Sequence, residues 1–354
     1  MKPQASQNDP NDPNDPNDPN DPNDPNDPND PNDPNDPNDP DPNDQFDVIG
    51  TGENSIDYVY RVAEFPGRDR SSKVEIAEHV VSPGGQVATA LCTCAALGLR
   101  CCYVGAFGND DKGVTIREAL RQRGVDLRYA ATRPATSRYA VILVEEGTGD
   151  RAVLWHRDSS LALRPDELRR DVISRARLLH VDGVDEDVAI AAASIARSLG
   201  IAVTSDVDRI AGRTRELIAA VTVPIFAEGV PEALTGEPDL ERALRALRQH
   251  HPGWLCATRG ARGAVLLAGQ TLHEVAGHQV AAVDTTGAGD VFRGAFIVAM
   301  LRGEAPANVL RFANAAAAVS CTRLGAIAGV PTREEVEALL SGSGPAAPGS
   351  GPLS

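Results

Sequence analysis

The sequence predicts an α/β fold of three layers, a central and mostly parallel sheet with helices on both faces, accompanied by a small second sheet. Three observations carry this. From Leu178 onward, short apolar strands alternate with helix-length segments: Leu178 to Asp182, the helix Asp187 to Leu199, Ile201 to Asp206, then Val223 to Phe226. Such alternation builds a parallel sheet whose ligands gather at the carboxyl ends of the strands. A glycine-rich turn, Gly287-Ala288-Gly289-Asp290, lies between the largely apolar run Glu274 to Val283, read as a strand, and the helix-length apolar run Val291 to Leu301. Finally, two segments at about 57–81 and 136–156 are rich in charge and β formers and fall outside that rhythm, so they are assigned to a separate sheet.

Composition divides the chain before any motif is read. The formal charge is −16, but residues 1–45 hold thirteen Asp and one Lys, a net of −12, which leaves about −4 for the rest. Asn8 to Pro40 is eleven uninterrupted Asn-Asp-Pro triplets. With no apolar residue to bury and a proline at every third position, such a segment cannot recover its ordering entropy, and 1–45 is expected to be an extended, disordered tail. It lacks the glycine turn and ligand spacing of a calcium loop. Ser341 to Ser354, rich in Gly, Pro and Ser, is expected to be a second loose end. Between them, 46–340 is long enough for one large α/β domain with a small appendage.

The same accounting excludes several function classes. No apolar run reaches membrane-spanning length and nothing near the N-terminus resembles a signal peptide, so a cytoplasmic location and no membrane partner are expected. The six cysteines form no zinc-type spacing and lie mostly in apolar segments, as reduced, buried thiols do. A mildly acidic core without a Lys/Arg face argues against nucleic acid.

Taken in order, Phe46 to Gly52 is a short strand ending in Gly50-Thr51-Gly52-Glu53-Asn54-Ser55. A dinucleotide-binding reading fails, because Ser55 occupies the third glycine position and Ile56 to Val62 alternates with period two instead of opening a helix. Ser82-Pro83-Gly84-Gly85-Gln86-Val87-Ala88-Thr89 opens a helix running to about Leu97, with glycines where a ligand can approach a helix start. Asp110 is placed to cap the helix Val114 to Arg123. Ser137 to Val144 and Arg151 to Trp155 read as a hairpin around the turn Glu145 to Asp150. Arg138, Trp155, His156 and Arg157 are candidates to line its inner face, and Arg138 or Arg157 is the natural partner of an acidic group on a substrate. The helix Pro306 to Thr322 carries its proline where a first turn tolerates one.

The Gly287 to Gly289 turn has the makings of an anion hole, since a helix start offers unpartnered N–H groups and a partial positive charge. Asp290 is out of place beside a bound phosphate unless it handles a proton. It could accept one from a substrate hydroxyl while the N–H groups stabilise charge on a phosphoryl group in flight. No Gly-x-x-x-x-Gly-Lys-Ser/Thr is present, so a P-loop is excluded.

The string Val283 to Phe296 resembles the signature of the ribokinase-like (PfkB) carbohydrate kinase family, and further matches follow in the family's order from Phe46 to Leu340. The resemblance implies a ribokinase-like fold, the small sheet acting as a lid, and transfer of the γ-phosphate of ATP to a sugar or nucleoside hydroxyl, with Asp290 as base. It places Asn54, Asp57, Gly84, Gly85, Gln86, Thr89 and Arg157 at the sugar, with Gln86 and Thr89 standing where the family's Gly-Gly-Asn-x-Ala-Asn carries asparagines. Thr258, Gly260 and Gly263, from a Thr-x-Gly-x-x-Gly segment, together with Thr285 and Asn314, fall at the nucleotide. Asp284, Glu228 and Asp206 are the candidates for magnesium. Ala227 and Val230 replace the family's Asn-x-x-Glu, and Glu228 or Glu232 would have to take over. Thr322 to Ala326 looks like the potassium loop of ribokinase, and Gly149 to Leu154 followed by Asp158 to Leu161 is similar to ketohexokinases. A ribose- or fructose-like ketose is the first acceptor expected. A nucleoside kinase is the alternative, and a non-catalytic sugar or nucleotide sensor is the alternative of another class. A homodimer through the lid is also implied.

Overall fold

In the computed structural model, residues 45–67, 73–148 and 150–342 are described. Most of the expected N-terminal tail, the end of the C-terminal one and Gly149 of the hairpin turn lie outside them. The first half of the chain runs β1 (Phe46–Thr51), β2 (Ser55–Val62), β3 (Ile76–Gly84), α1 (Gln86–Ala96), β4 (Cys101–Tyr103), β5 (Ala106–Gly108), α2 (Asp111–Gln122), β6 (Val125–Asp126) and β7 (Ala131–Arg133). It continues through β8 (Tyr139–Glu145), β9 (Arg151–His156), α3 (Arg170–Ile173), β10 (Ala176–Asp182), α4 (Glu186–Ser198), β11 (Ala202–Val207) and α5 (Thr214–Ala220). After these come β12 (Val223–Phe226), α6 (Val230–Thr235), α7 (Leu240–Arg248), β13 (Leu255–Thr258), β14 (Ala264–Ala268), β15 (Thr271–Val275), α8 (Ala288–Leu301), α9 (Pro306–Ser320) and α10 (Arg333–Leu340).

The large sheet has the order β15-β14-β13-β12-β11-β10-β1-β4-β6, parallel except where β14 turns back between β13 and β15. Its central strands are apolar at consecutive positions because both faces are covered. On β1, Val48 joins a core with Val87 and Leu91 of α1, Phe296 of α8 and Ala313 of α9. The next residue, Ile49, points the other way and packs with Ala189, Ala192 and Ala196 of α4. Leu178 and Leu179 on β10 split in the same way. This is the three-layer α/β architecture that the sequence predicts. A separate sheet of order β3-β2-β8-β9 is antiparallel apart from the β2–β8 pair.

Three boundaries near the site differ from expectation. The apolar run Glu274 to Val283 is not one strand: β15 ends at Val275 and the chain to Thr286 is irregular. Beyond Val275 there is no further β14 residue to pair with, and the side-chain amide of Asn314 takes the carbonyls of Val275 and Ala276 at 3.0 and 3.2 Å. α8 starts at Ala288, with Gly287 as its cap at φ 75°, so Asp290 sits in the first helical turn instead of ahead of it. Likewise α2 starts at Asp111, where Asp110 accepts a hydrogen bond from the Gly113 N–H at 3.0 Å.

α1 and α8 cross closely because Gly294 has no side chain. A β-carbon there would lie 2.5 Å from the Ala90 carbonyl oxygen and 2.6 Å from the Thr93 β-carbon. Gly294→Ala must push the two helices apart, and the expected loss is about 1–3 kcal/mol, read as a lowered Tm. An unchanged Tm would contradict the tight crossing.

Candidate active site

Two helix starts and several strand ends converge on one cavity of about 620 Å³. α1 begins at Gly85, at φ 100°, where a β-carbon would sit 2.6 Å from Asn54 Cα. Only glycine lets this helix start lie against the turn after β1. α8 contributes Asp290 to the cavity, β2 contributes Asp57, and Gly85 and Gln86 complete that side. The Oε1 of Gln86 is buried without a partner. The β8–β9 hairpin supplies Arg138, Trp155, His156 and Arg157, the four residues expected on its inner face.

Charge is crowded here. Glu53 lies in the turn after β1, and its backbone N–H donates to Asp182 Oδ2 at 2.6 Å. Burial, with the Asp182 charge adding, pushes the Glu53 carboxyl up to about 7. Burial and then the Asp284 charge raise Asp57 to about 6. Asp290 is pushed well above the ordinary carboxylate range, first by burial and next by the negative charge of Asp206, while Arg293 pulls the other way. Arg293 is one helical turn on from Asp290 and pairs with Asp206 at 2.5 Å, the two side chains being 4 % and 1 % exposed. Its guanidinium also lies against the α8 start, for a β-carbon on Gly289 would come within 2.6 Å of Arg293 Nη1. Beside it, His180 is bonded to Thr204 Oγ1 at 2.9 Å and is held neutral, its pKa lowered to about 3 by burial and by the Arg293 charge.

The other expected site residues surround this centre. Gly287 allows the α8 cap to press on Ala326, whose β-carbon would be 2.6 Å from a side chain there, and Thr89 is buried behind the same turn. Ala288 and Gly289 form the first turn itself. Asp284 accepts from the N–H groups of Thr286 at 2.8 Å and Gly325 at 2.9 Å, which ties the loop carrying Thr285 to the Thr322–Ala326 segment. Gly84, at the end of β3, lies where a β-carbon would be 3.6 Å from Asp57 Oδ2. Asn54 is not on the cavity. It is buried, donates to the Tyr103 hydroxyl at 2.6 Å and to the Ala106 carbonyl at 3.0 Å, and lines a neighbouring void of about 20 Å³.

Thr258 ends β13, its hydroxyl donating to the Phe226 carbonyl at 3.3 Å. Gly260 and Gly263 adopt φ of 55° and 89°, and Gly263 passes so close to Gly277 that a β-carbon would lie 2.5 Å from its nitrogen. Glu228 is exposed and pairs with Arg262 on this side of the sheet. Glu53, Asp182, Arg209 and Arg293 were missed by motif reading. Asp182 stands at the carboxyl end of a strand the sequence does reveal, and Arg293 is a charge inside an otherwise apolar helix; both are usable signals.

The buried Asp206–Arg293 pair yields a double-mutant test. Arg293→Met alone strands a buried carboxylate and is expected to cost about 3–5 kcal/mol. Asp206→Asn added to it should restore a large part of that loss, read by denaturant unfolding of all four proteins. Losses that simply add would contradict the pairing.

Residues 45–333 match the model of the pfkB family carbohydrate kinases. A fructokinase from Solanum tuberosum is 28 % identical over 313 residues, covering 83 % of this chain and 96 % of its own. An ATP-dependent ribose-1-phosphate kinase from Halopiger xanaduensis is 29 % identical over 296 residues, covering 83 % of this chain and 98 % of its own. Among solved structures, a ribokinase from Thermotoga maritima superposes with a TM-score of 0.72 at 26 % identity, covering 84 % and 99 % of the two chains. With the family model spanning most of its length, this chain belongs to the pfkB family of carbohydrate kinases.

Proposed function

We propose that this kinase transfers the γ-phosphoryl group of ATP to a hydroxyl of a sugar through Asp290. The observation that carries the reading is that Asp290, in the first turn of a helix, opens onto the same cavity as Asp57, Gly85 and Gln86. The acceptor hydroxyl loses its proton to the Asp290 carboxylate as its oxygen attacks phosphorus, and ADP leaves. The N–H groups of Gly287 and Gly289, at the positive end of α8, stabilise the charge on the transferred group, joined by that of Ala288, which makes a long bond of 3.3 Å to the Thr285 carbonyl. Asp57, with both oxygens able to accept, and the amide of Gln86 hold the remaining hydroxyls, as Gly84 and Gly85 let the ligand approach. A carboxyl with raised proton affinity suits Asp290 to this task, because a base works best when its pKa lies near the working pH.

On the nucleotide side we assign Thr258, Gly260 and Gly263 to the phosphates and ribose, Thr285 to the phosphate chain and Asn314 to the neighbourhood of the base. Magnesium, when bound with ATP, neutralises phosphate charge. The donor set fits an ion that keeps its waters and leans on the nucleotide, as magnesium does. No group of three or more His, Cys, Asp or Glu side chains placed to hold a metal is found among the described residues. One buried carboxylate oxygen, Glu232 Oε2 in the first turn of α6, lacks a partner and is suited to a bound water. Asp206 pairs with Arg293 through Oδ1 while its Oδ2 is buried without a partner, Glu228 meets Arg262 in an exposed pair through Oε1, and Asp284 accepts from two backbone N–H groups, so Asp206 and Glu228 each keep an oxygen for a magnesium-bound water. A monovalent cation beside Thr322 to Ala326 and a homodimer through the small sheet complete the proposal. The latter is supported by the exposed Leu154 on its edge strand β9.

The test is ATP consumption over a panel of sugars and nucleosides, in potassium and in sodium-only buffer. Turnover with a sugar is expected, and Asp290→Asn should lower kcat by about 10² to 10⁴. A nucleoside as the sole acceptor, or near-normal turnover by Asp290→Asn, would overturn the reading. Equal rates in the two buffers would remove the monovalent cation from it.

A further inference from the structure

The acceptor cavity sets three arginines beside its three acids, Glu53, Asp57 and Asp290, and a neutral sugar gives those arginines no counter-charge. Arg138, Arg157 and Arg209 all line it. Arg138 and Arg157 share one counter-ion: Arg138 Nη2 meets Asp185 Oδ2 at 2.5 Å, and Arg157 pairs with the other oxygen of the same carboxylate. The two guanidiniums thus share a single contacting carboxylate, with Glu53 and Asp182 acting on them only from further off. Arg157 spends Nη1 on the Val184 carbonyl at 2.8 Å. Arg138 is 5 % exposed, yet its Nε and Nη1 have no acceptor. Buried charged donors left unmade are costly, and a fold keeps them where a ligand completes them. Arg209 is half-exposed and lies 3.2 Å from Asp208, its sequence neighbour, a surface pairing that holds it weakly.

We propose that the acceptor is a polyhydroxylated compound carrying one anionic group, a carboxylate or a phosphate, and that Arg138, Arg157 and Arg209 receive that group. This rests on the kinase reading and narrows it to a substrate class. Guanidinium forks match either anion in two-pronged geometry, which is why arginine and not lysine suits the position. Glu53 and Asp57 remain for the hydroxyls, which need acceptors and not cations.

The test uses the full chain with saturating magnesium and ATP and matched acceptors: a free pentose or hexose, its monophosphate, and the corresponding sugar acid. The better anion is expected to exceed its neutral parent about 10- to 100-fold in kcat/KM, with the advantage shrinking at high salt. The phosphate and acid arms tell the two sources apart. Arg209→Gln, at a half-exposed site that should not disturb folding, is expected to contract the anion-to-neutral ratio several-fold; Arg157→Gln should contract it further. A neutral sugar preferred over both anions overturns the inference and leaves the kinase reading standing, as does an Arg157→Gln effect confined to the KM for ATP. Should no acceptor turn over, thermal stabilisation by the same compounds decides. Stabilisation by an anion above its neutral parent, lost in Arg209→Gln, supports the anionic ligand while the kinase reading fails; equal or absent stabilisation overturns it.

Discussion

The site depends on an enforced crowding of carboxylates. Glu53 follows β1, Asp182 ends β10 and Asp206 lies near the end of β11, three neighbouring strands of one sheet. Neighbouring strands lie about 4.8 Å apart, so acids at their ends cannot avoid one another, and Asp290 joins them from α8. Arg293 and Arg138 are the buried cations that offset them. Burial and mutual repulsion make these acids hold protons more tightly than they would in water. A carboxyl so placed takes a proton more readily than an ordinary carboxylate, and an adjacent helix start can stabilise phosphoryl charge without moving.

The packing serves the same end. α1 and α8 carry the two glycine-marked starts, and they can open onto one cavity because Gly294 lets them cross at close quarters. Their apolar faces belong to one core with β1 and β10, so the position of Asp290 is fixed by a rigid layer. The small sheet is joined differently. β2 and β3 pair with each other, β2 bears Asp57 and β3 runs straight into Gly85, so any movement of that sheet is felt at the acceptor side of the cavity. Arg138 directly precedes β8, Arg157 directly follows β9 and Arg209 lies in the loop after β11, so two of the three arginines that would read the acceptor's charge move with the small sheet.

Much of this was legible in the sequence. The strand and helix alternation after Leu178 gave the parallel sheet, because hydrophobic periodicity and length suffice when both faces are buried. The turn at Gly287 to Asp290, Asp57 and the Gly84–Gln86 helix start were likewise readable, since their residue types answer to local backbone needs. What resisted were features set by tertiary pairing. The run Glu274 to Val283 is apolar enough for a strand, yet β15 stops where its partner stops. Asn54 has the polarity of a sugar ligand, but its amide N–H groups go to Tyr103 and Ala106 and it lies off the cavity, its Oδ1 buried without a partner. The Asp206–Arg293 pair joins residues 87 positions apart, and no local pattern announces it. The departures at Ala227 and Val230 were visible, whereas the commitment of Glu228 to Arg262 was not.

The most direct measurement of the central claim is the pH dependence of kcat/KM for the acceptor, taken with magnesium and ATP saturating. A base must be deprotonated to work, so activity rises as pH increases through its pKa in the free enzyme. With Asp290 held above the ordinary carboxylate range by burial and by Asp206, and with Glu53 and Asp57 at about 7 and about 6, the acid limb should fall well above pH 4. A limb centred near 4, or a rate that stays flat down to acid unfolding, would contradict a crowded, proton-holding carboxyl as the base.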